Sequence, residues 1–398
     1  MLSLPIYLDH NSTTPCDPLV VQAMLPYFTE NFGNAASKSH AFGWKAEEAV
    51  EFSREQVSHL IGAEPNEIVF TSGATEAVNL ALKGVFETYS GKGNHIVTSN
   101  IEHKAVLDTC KHLEKRGAHV AHLEVNKGGT LDLNEFQQSL TANTILIAIM
   151  YANNEIGTVM PIREISAIAK EKGILVFCDA TQAVGKIPVD VINDGIDLMA
   201  FNAHKIYGPK GIGALYVRRK NPRVRLTAQI DGGGHERGLR SGTLNVPAIV
   251  GFGTAAHLCQ EHMQEDAVKM RRLRDRLENA LFTIEETFVN GDKEKRLPHV
   301  SNISFNNIKA EELMVKLSKD VAISSGSACM SASIEPSYVL KALGLSDELA
   351  NGSVRFSLGR HNTDEEIDYT IQQVTRLVAT LRDDNVFWQG KKKNIVEG

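Results

Sequence analysis

The chain has 398 residues, 48 acidic against 42 basic, and a formal net charge of −6. That balance argues against a general binder of nucleic acid or of anionic membranes, and no uninterrupted apolar run reaches the ~18 residues of a membrane-spanning helix. Five dispersed cysteines (Cys16, Cys110, Cys178, Cys259 and Cys329) with no CxxC pair fit neither a disulfide framework nor a zinc site. The N-terminal MLSLPIYLDH has neither the basic flank nor the apolar length of a secretory signal, so the expected location is cytoplasmic.

In chain order, the helical pattern AEEAVEFSREQVSHL is followed by the strand EIVFTSG, the helix ATEAVNLALKGVFETY, the strand HIVTSN and the helix HKAVLDTCKHLEKRG. Then come the strand TILIAIMYANN, the helix REISAIAKEKG and three further strands, ILVFCDATQ, DLMAFNAHK and GALYVRR. Gly117 and Gly173 close two of the helices, each rich in Lys and Glu. The alternation predicts α/β architecture with a mainly parallel sheet and ligands at the loops leaving the strands. After about Val250 the pattern changes to a long charged amphipathic helix, roughly Ala255 to Phe282, then shorter strands such as HVSNISFNN. The expectation is a large domain over 16–258 and a smaller α+β domain formed by 1–15 and 259–398.

The most informative spacing lies in ILVFCDATQ and DLMAFNAHK, which place Asp179 26 residues before Lys205, each at the end of an apolar strand. An Asp beside a pyridine nitrogen keeps that ring protonated, and a Lys amine can bond an aldehyde covalently. Pyridoxal phosphate needs both. Either residue alone is more often a turn cap or a solvated lysine, so the neighbouring motifs decide.

TSGATEAVN places small residues and Thr75 at a strand-to-helix junction, where helix amides can meet a phosphate. IDGGGHERGLRSGTLN adds three consecutive glycines followed by Arg237, Arg240, Ser241 and Thr243, a loop dense in anion donors. GPKGIG lacks the ending and the following helix of a P-loop. His103 follows a strand and opens a helix, as a cap or as a ring-stacking and proton-transfer group. Cys329 lies in ISSGSACMSASIEPSYVL, whose small residues suit an exposed loop, and is the best nucleophile among the thiols.

Together SGATE, NIEHKAV, NNEIG, DATQ, HKIYGPKGIGALYVRR, GGGHERGLRSGT, SSGSAC and VRFSLGR closely resemble the cysteine desulfurases of the IscS/NifS type, from about Pro5 to Leu381. The resemblance implies the type I pyridoxal-phosphate-dependent transferase fold, as a homodimer. It implies that Lys205 holds the cofactor covalently, Asp179 pairs with the ring nitrogen, Gln182 bonds the ring hydroxyl, and His103 stacks on the ring and relays protons. Ala74, Thr75, Asn202 and His204 are implied around the phosphate, with Thr243 supplied by the other subunit. Asn154 is likewise implied in contact with the cofactor, and Arg355 as the clamp for the substrate carboxylate. Asn202 stands where relatives commonly carry Ser.

The implied reaction converts L-cysteine to L-alanine and leaves the sulfur as a persulfide on Cys329. Acceptor proteins then take it, either a scaffold for iron-sulfur cluster assembly or a thiolation relay. No resident metal is implied, only a transient iron-sulfur ligand role for Cys329 with a scaffold partner, and no direct nucleic-acid or membrane contact. A selenocysteine lyase or an aminotransferase shares Asp179 and Lys205 but does not need SSGSAC.

Overall fold

The computed structural model describes residues 2–325, 335–385 and 388–389. Strand β1 (Ile6–Tyr7) precedes helices α1 (Pro18–Met24), α2 (Pro26–Thr29) and α3 (Ala41–Leu60). The alternating region runs β2 (Ile68–Thr71), α4 (Ala74–Tyr89), β3 (His95–Ser99), α5 (Lys104–Glu114), β4 (His119–Leu123) and α6 (Leu133–Ser139). It continues with β5 (Thr144–Met150), α7 (Ile162–Glu171), β6 (Leu175–Asp179), β7 (Leu198–Asn202) and β8 (Gly213–Val217). Helix α8 (Val246–Leu281) leads to β9 (Thr287–Val289), β10 (Val300–Phe305), α9 (Ala310–Leu317) and β11 (Val321–Ala322). Last come α10 (Tyr338–Ala342), α11 (Asp347–Asn351), β12 (Ser353–Ser357) and α12 (Asp364–Asp383).

The large sheet has the order β2-β8-β7-β6-β5-β3-β4. Strands β7, β6, β5, β3 and β4 pair in parallel, and β8 is antiparallel to both of its neighbours. Every residue of β5, β6, β7 and β8 is buried, which is why these segments read as continuous apolar runs. The pleat sorts them between two cores. Ile147, Ile149, Val176, Met199 and Phe201 face one, while Leu146, Ala148, Leu175, Phe177 and Leu198 face the other. Gly117 and Gly173 follow α5 and α7 at φ of 96° and 64°, the left-handed turn that stops a helix.

Helix α8 begins at Val246, earlier than the amphipathic pattern suggests. Asn245 caps it, accepting from Ala248 N at 3.2 Å, and Pro247 occupies the first turn. Its first half, including Phe252, Ala255, Ala256 and Cys259, is so thoroughly buried that no polar face marks it in the sequence.

A further core joins Leu273, Leu277 and Leu281 of α8 to Ile303 and Phe305 of β10, Val354 and Phe356 of β12, Val374 and Val378 of α12, and Ile6 and Leu8. Here β12-β10-β9 form an antiparallel sheet, and β1 pairs in parallel with β11. We propose to keep the division into 16–258 and 1–15 with 259–398, noting that α8 is continuous through position 258. Val339, Leu340 and Leu343 pack with the first core. Among the described residues no helix is long and apolar enough to cross a membrane.

Candidate active site

The carboxyl ends of β5, β6 and β7 and the amino ends of α4 and α5 surround a cleft of about 790 Å³. Ala74, Thr75, His103, Asn154, Asp179, Gln182, Asn202, His204, Lys205 and Arg355 all line it. Ligand sites at this end of a parallel sheet follow from where the loops converge.

Asp179 is the last residue of β6, and its Oδ1 accepts from Thr181 N at 3.0 Å. One strand over, a 3-10 turn (Ala203–Lys205) leaves β7 and carries Lys205 into the cleft. The Lys205 amine donates to the main-chain carbonyls of Asn11 and Ser12. Gln182 Nε2 also donates to Asn11 O, at 3.1 Å. Arg355, on β12, is held as a fork. Its Nη1 donates to Asn154 O at 3.0 Å, and its Nη2 to Asp9 Oδ1 at 2.7 Å and Ser12 Oγ at 2.9 Å.

His103 is both a cap and a cleft residue. Its Nδ1 accepts from Ala105 N at 3.1 Å at the start of α5, so in the neutral ring the proton sits on Nε2. His204 Nδ1 lies 3.2 Å from Thr13 Oγ1. Burial, helped by Lys205 and Lys210, pushes the His204 pKa down to about 4, so the ring is neutral at pH 7. Behind the cleft, Glu102 Oε1 accepts from Ser99 Oγ at 2.7 Å and Met150 N at 2.9 Å. Burial, with Asp179 nearby, pushes Glu102 up to about 8.

At the start of α4, Gly73 is the N-cap and no side chain caps the helix. Its backbone is pressed by β8. A Cβ on Gly213 would lie 2.7 Å from Gly73 Cα and 2.8 Å from Phe201 O, so only glycine fits there.

Thr243 is exposed and does not line the cleft of its own chain. Cys329 lies outside the described residues. The chain on either side of it is anchored at the cleft: Ser324 and Arg355 form a β-bridge, Ser337 Oγ donates to Glu155, and Tyr338 Oη donates to Glu102 O at 2.7 Å. Of the other thiols, Cys110, Cys178 and Cys259 are buried and Cys16 is partly so. Burial pushes the Cys110 thiol up to about 12 and raises the other three as well. Sequence reasoning missed Asp9, Asn11, Ser12 and Thr13, which line the cleft, and Glu76 and Lys210, which do too. The one signal for the first group is the polar cluster DHNSTT directly after the apolar IYL, whose first two residues form β1.

The Aminotransferase class-V family model matches residues 6–370, and the chain belongs to that family. It is 54% identical over 396 residues to Cysteine desulfurase IscS of Salmonella paratyphi C (strain RKS4594), covering 99% of this chain and 98% of that one. Among solved structures it is similar to a NifS-like protein, with a TM-score of 0.89 and 37% identity over 95% of this chain and 100% of that one. It is also similar to SspA in complex with cysteine, with a TM-score of 0.80 and 37% identity over 90% and 100%.

The chain is accordingly a pyridoxal-phosphate-dependent enzyme, and its cleft suits that group. Asn154 Oδ1, Asn202 Oδ1, Thr181 Oγ1 and Arg355 Nε are buried with no hydrogen-bond partner among the described residues, although each of these residues lines the cleft. A polar ligand would satisfy groups that are costly to leave unpaired. The first-turn amides of α4, uncapped by any side chain, suit its phosphate.

Proposed function

We propose that the chain is a cysteine desulfurase that converts L-cysteine to L-alanine and hands the sulfur, through Cys329, to acceptor proteins. The observation that carries this reading is the meeting of Lys205, Asp179 and Arg355 in one cleft of a chain 54% identical over 396 residues to a cysteine desulfurase.

Pyridoxal phosphate, when bound, supplies an electron sink conjugated with the substrate's α-carbon. Lys205 Nζ would hold that group, and the same amine would serve as the base for the α-proton. Asp179 would keep a proton on the ring nitrogen, and Gln182 would bond the ring hydroxyl. His103 would lie against the ring with its Nε2 proton available for relay. Ala74, Thr75, Asn202 and His204 would surround the phosphate, and Asn154 would contact the cofactor. Arg355 would take the substrate carboxylate in its planar fork.

The Cys329 thiol would receive the sulfur. The substrate's C–S bond and the S–H of Cys329 break; an S–S bond and a new C–H bond form. Cysteine and a thiol thereby become alanine and a persulfide with no outside oxidant. The persulfide sulfur would pass to a cluster scaffold or a thiolation relay.

A cytoplasmic homodimer completes the reading. Thr243, absent from its own cleft, would serve the phosphate of the neighbouring subunit. Leu19, Leu25, Phe28, Phe32, Phe42 and Trp44 are all exposed on the α1–α3 side, an apolar face that a second copy would cover. The test is to supply L-cysteine and an oxo acid to the purified enzyme and measure alanine, protein-bound sulfur, sulfide and any amino acid formed from the oxo acid. Alanine equal to the sum of protein-bound sulfur and sulfide supports the reading, whereas amino-group transfer to the oxo acid overturns it.

A further inference from the structure

Glu76 occupies the first turn of α4 and lines the cleft beside Ser72, Gly73, Ala74 and Thr75. The phosphate of the cofactor belongs at this helix start, and a bare carboxylate in the same turn would repel it. The carboxylate is not bare. Its Oε2 accepts from Ser72 N at 2.8 Å, which closes the turn presenting Gly73. Its Oε1 accepts from Arg240 Nε at 2.8 Å, with Arg240 Nη2 at 3.5 Å from Oε2.

Arg240 comes from the glycine-rich loop, far away in sequence, and the pair is partly buried, 22% and 17% exposed. Burial raises the Glu76 pKa, but the bonds from Arg240 and Ser72 outweigh it, and the net shift is downward. The carboxylate is therefore charged at neutral pH and needs a counter-ion. The loop that supplies it is itself pinned to the strand leading into the cradle. Glu236 accepts from Phe70 N at 2.7 Å and from both terminal nitrogens of Arg54 at 2.8 Å, while Glu236 and Arg237 hold left-handed φ values of 48° and 58°.

We propose that Arg240 is a positioning residue for the cofactor phosphate, acting through Glu76: its guanidinium cancels the one carboxylate in the first turn of α4, so that the cradle accepts a dianion. Glu76 is then free to shape the turn at Ser72 without opposing the ligand. The proposal rests on the reading of the α4 start as the phosphate cradle.

Apoenzyme is titrated with pyridoxal phosphate and, separately, with pyridoxal, which lacks the phosphate, and binding is followed by absorbance. Arg240→Met is expected to bind pyridoxal phosphate roughly ten- to hundredfold more weakly and pyridoxal within about twofold of the parent, since only the former brings a like charge to Glu76. The double variant Arg240→Met with Glu76→Gln is expected to recover affinity for pyridoxal phosphate, and Arg240→Lys to keep most of it. Glu76→Gln alone, which keeps the Glu236 anchors of the loop to Phe70 and Arg54, should bind pyridoxal phosphate at least as tightly as the parent. Equal losses for the two ligands in Arg240→Met, no recovery in the double variant, or weaker binding by Glu76→Gln would each overturn the proposal. A parent enzyme that does not prefer the phosphorylated ligand would instead remove the phosphate reading of α4, and this proposal with it.

Discussion

Arg355 and Asp9 meet at 2.7 Å, Nη2 to Oδ1, in the wall of the cleft. The guanidinium is thereby oriented before any substrate arrives, since Ser12 and Asn154 fix the rest of the fork. A lysine at 355 keeps the charge but loses the fork. Arg355→Lys should lower kcat/KM for L-cysteine by about ten- to hundredfold, mostly through KM, the size of one or two charge-assisted hydrogen bonds. Steady-state kinetics decide, and an unchanged KM would take Arg355 away from the substrate carboxylate.

Lys205→Ala should form no alanine and carry no cofactor on the protein after borohydride reduction, as read by intact mass. Among the described residues lining the cleft only Lys205 and Lys210 bear amines, and Lys205 is the one that leaves β7 beside Asp179. Cofactor still attached to the variant would reassign the amine.

Cys329→Ser should keep its cofactor and bind cysteine, yet hold no persulfide. The remaining thiols are poor substitutes, because burial suppresses the thiolate at Cys110, Cys178 and Cys259 and partial burial does so at Cys16. Peptide mass spectrometry after cysteine treatment is the measurement, and a persulfide at any of these four positions counts against Cys329.

Asn202 ends β7 with its Oδ1 buried and without a partner among the described residues, so its side chain would bring an acceptor as well as a donor to the proposed phosphate cradle. Asn202→Ser should bind pyridoxal phosphate about two- to tenfold more tightly, a gain of one better-placed donor to a charged group. Dialysis followed by reconstitution titration measures it, and equal or weaker affinity would make the asparagine a full substitute.

Glu102 gives a pH dependence of definite sign. Its folded pKa, about 8, lies above the ordinary carboxylate value because of burial first, with Asp179 adding to it. The folded state therefore holds this proton more tightly than the unfolded chain does. That contribution to stability is complete below the unfolded pKa and fades as pH rises through the folded one, by roughly 1.4 kcal/mol per pH unit inside the window. Glu102→Gln keeps an acceptor for Ser99 and Met150 and does not titrate. The melting temperature of the variant should thus gain on the parent between about pH 5 and 8, and parallel curves would show that Glu102 does not hold the proton.

The sheet was legible because β5 to β8 are buried on both faces and so announce themselves as apolar runs ending in polar residues. Asp179 and Lys205 were legible for the same reason, since each follows such a run, whereas Asn202 was reached only through the family resemblance. Strand β4 was not, because it is an edge strand with His119 and His122 exposed and no run to notice. Nor was α12, whose capping box of Thr363 and Glu366 stands in a stretch of charged residues. The contacts of Lys205 with Asn11 and Ser12, and of Arg240 with Glu76, join positions far apart in sequence. No local periodicity encodes them, and only the folded path brings them together.

Two acceptors that cradle the Lys205 amine are main-chain carbonyls, a group every residue carries. As far as the lysine is concerned, the side chains at 11 and 12 are interchangeable; their identities answer instead to His299 and Asn154 for Asn11 and to Arg355 for Ser12. What the lysine does register is the number of residues between β1 and Thr14, because losing one would drag both carbonyls along the chain by about 3.5 Å. Substitutions at 11 and 12 therefore answer to those other partners, whereas a deletion between β1 and Thr14 would be felt by the lysine itself.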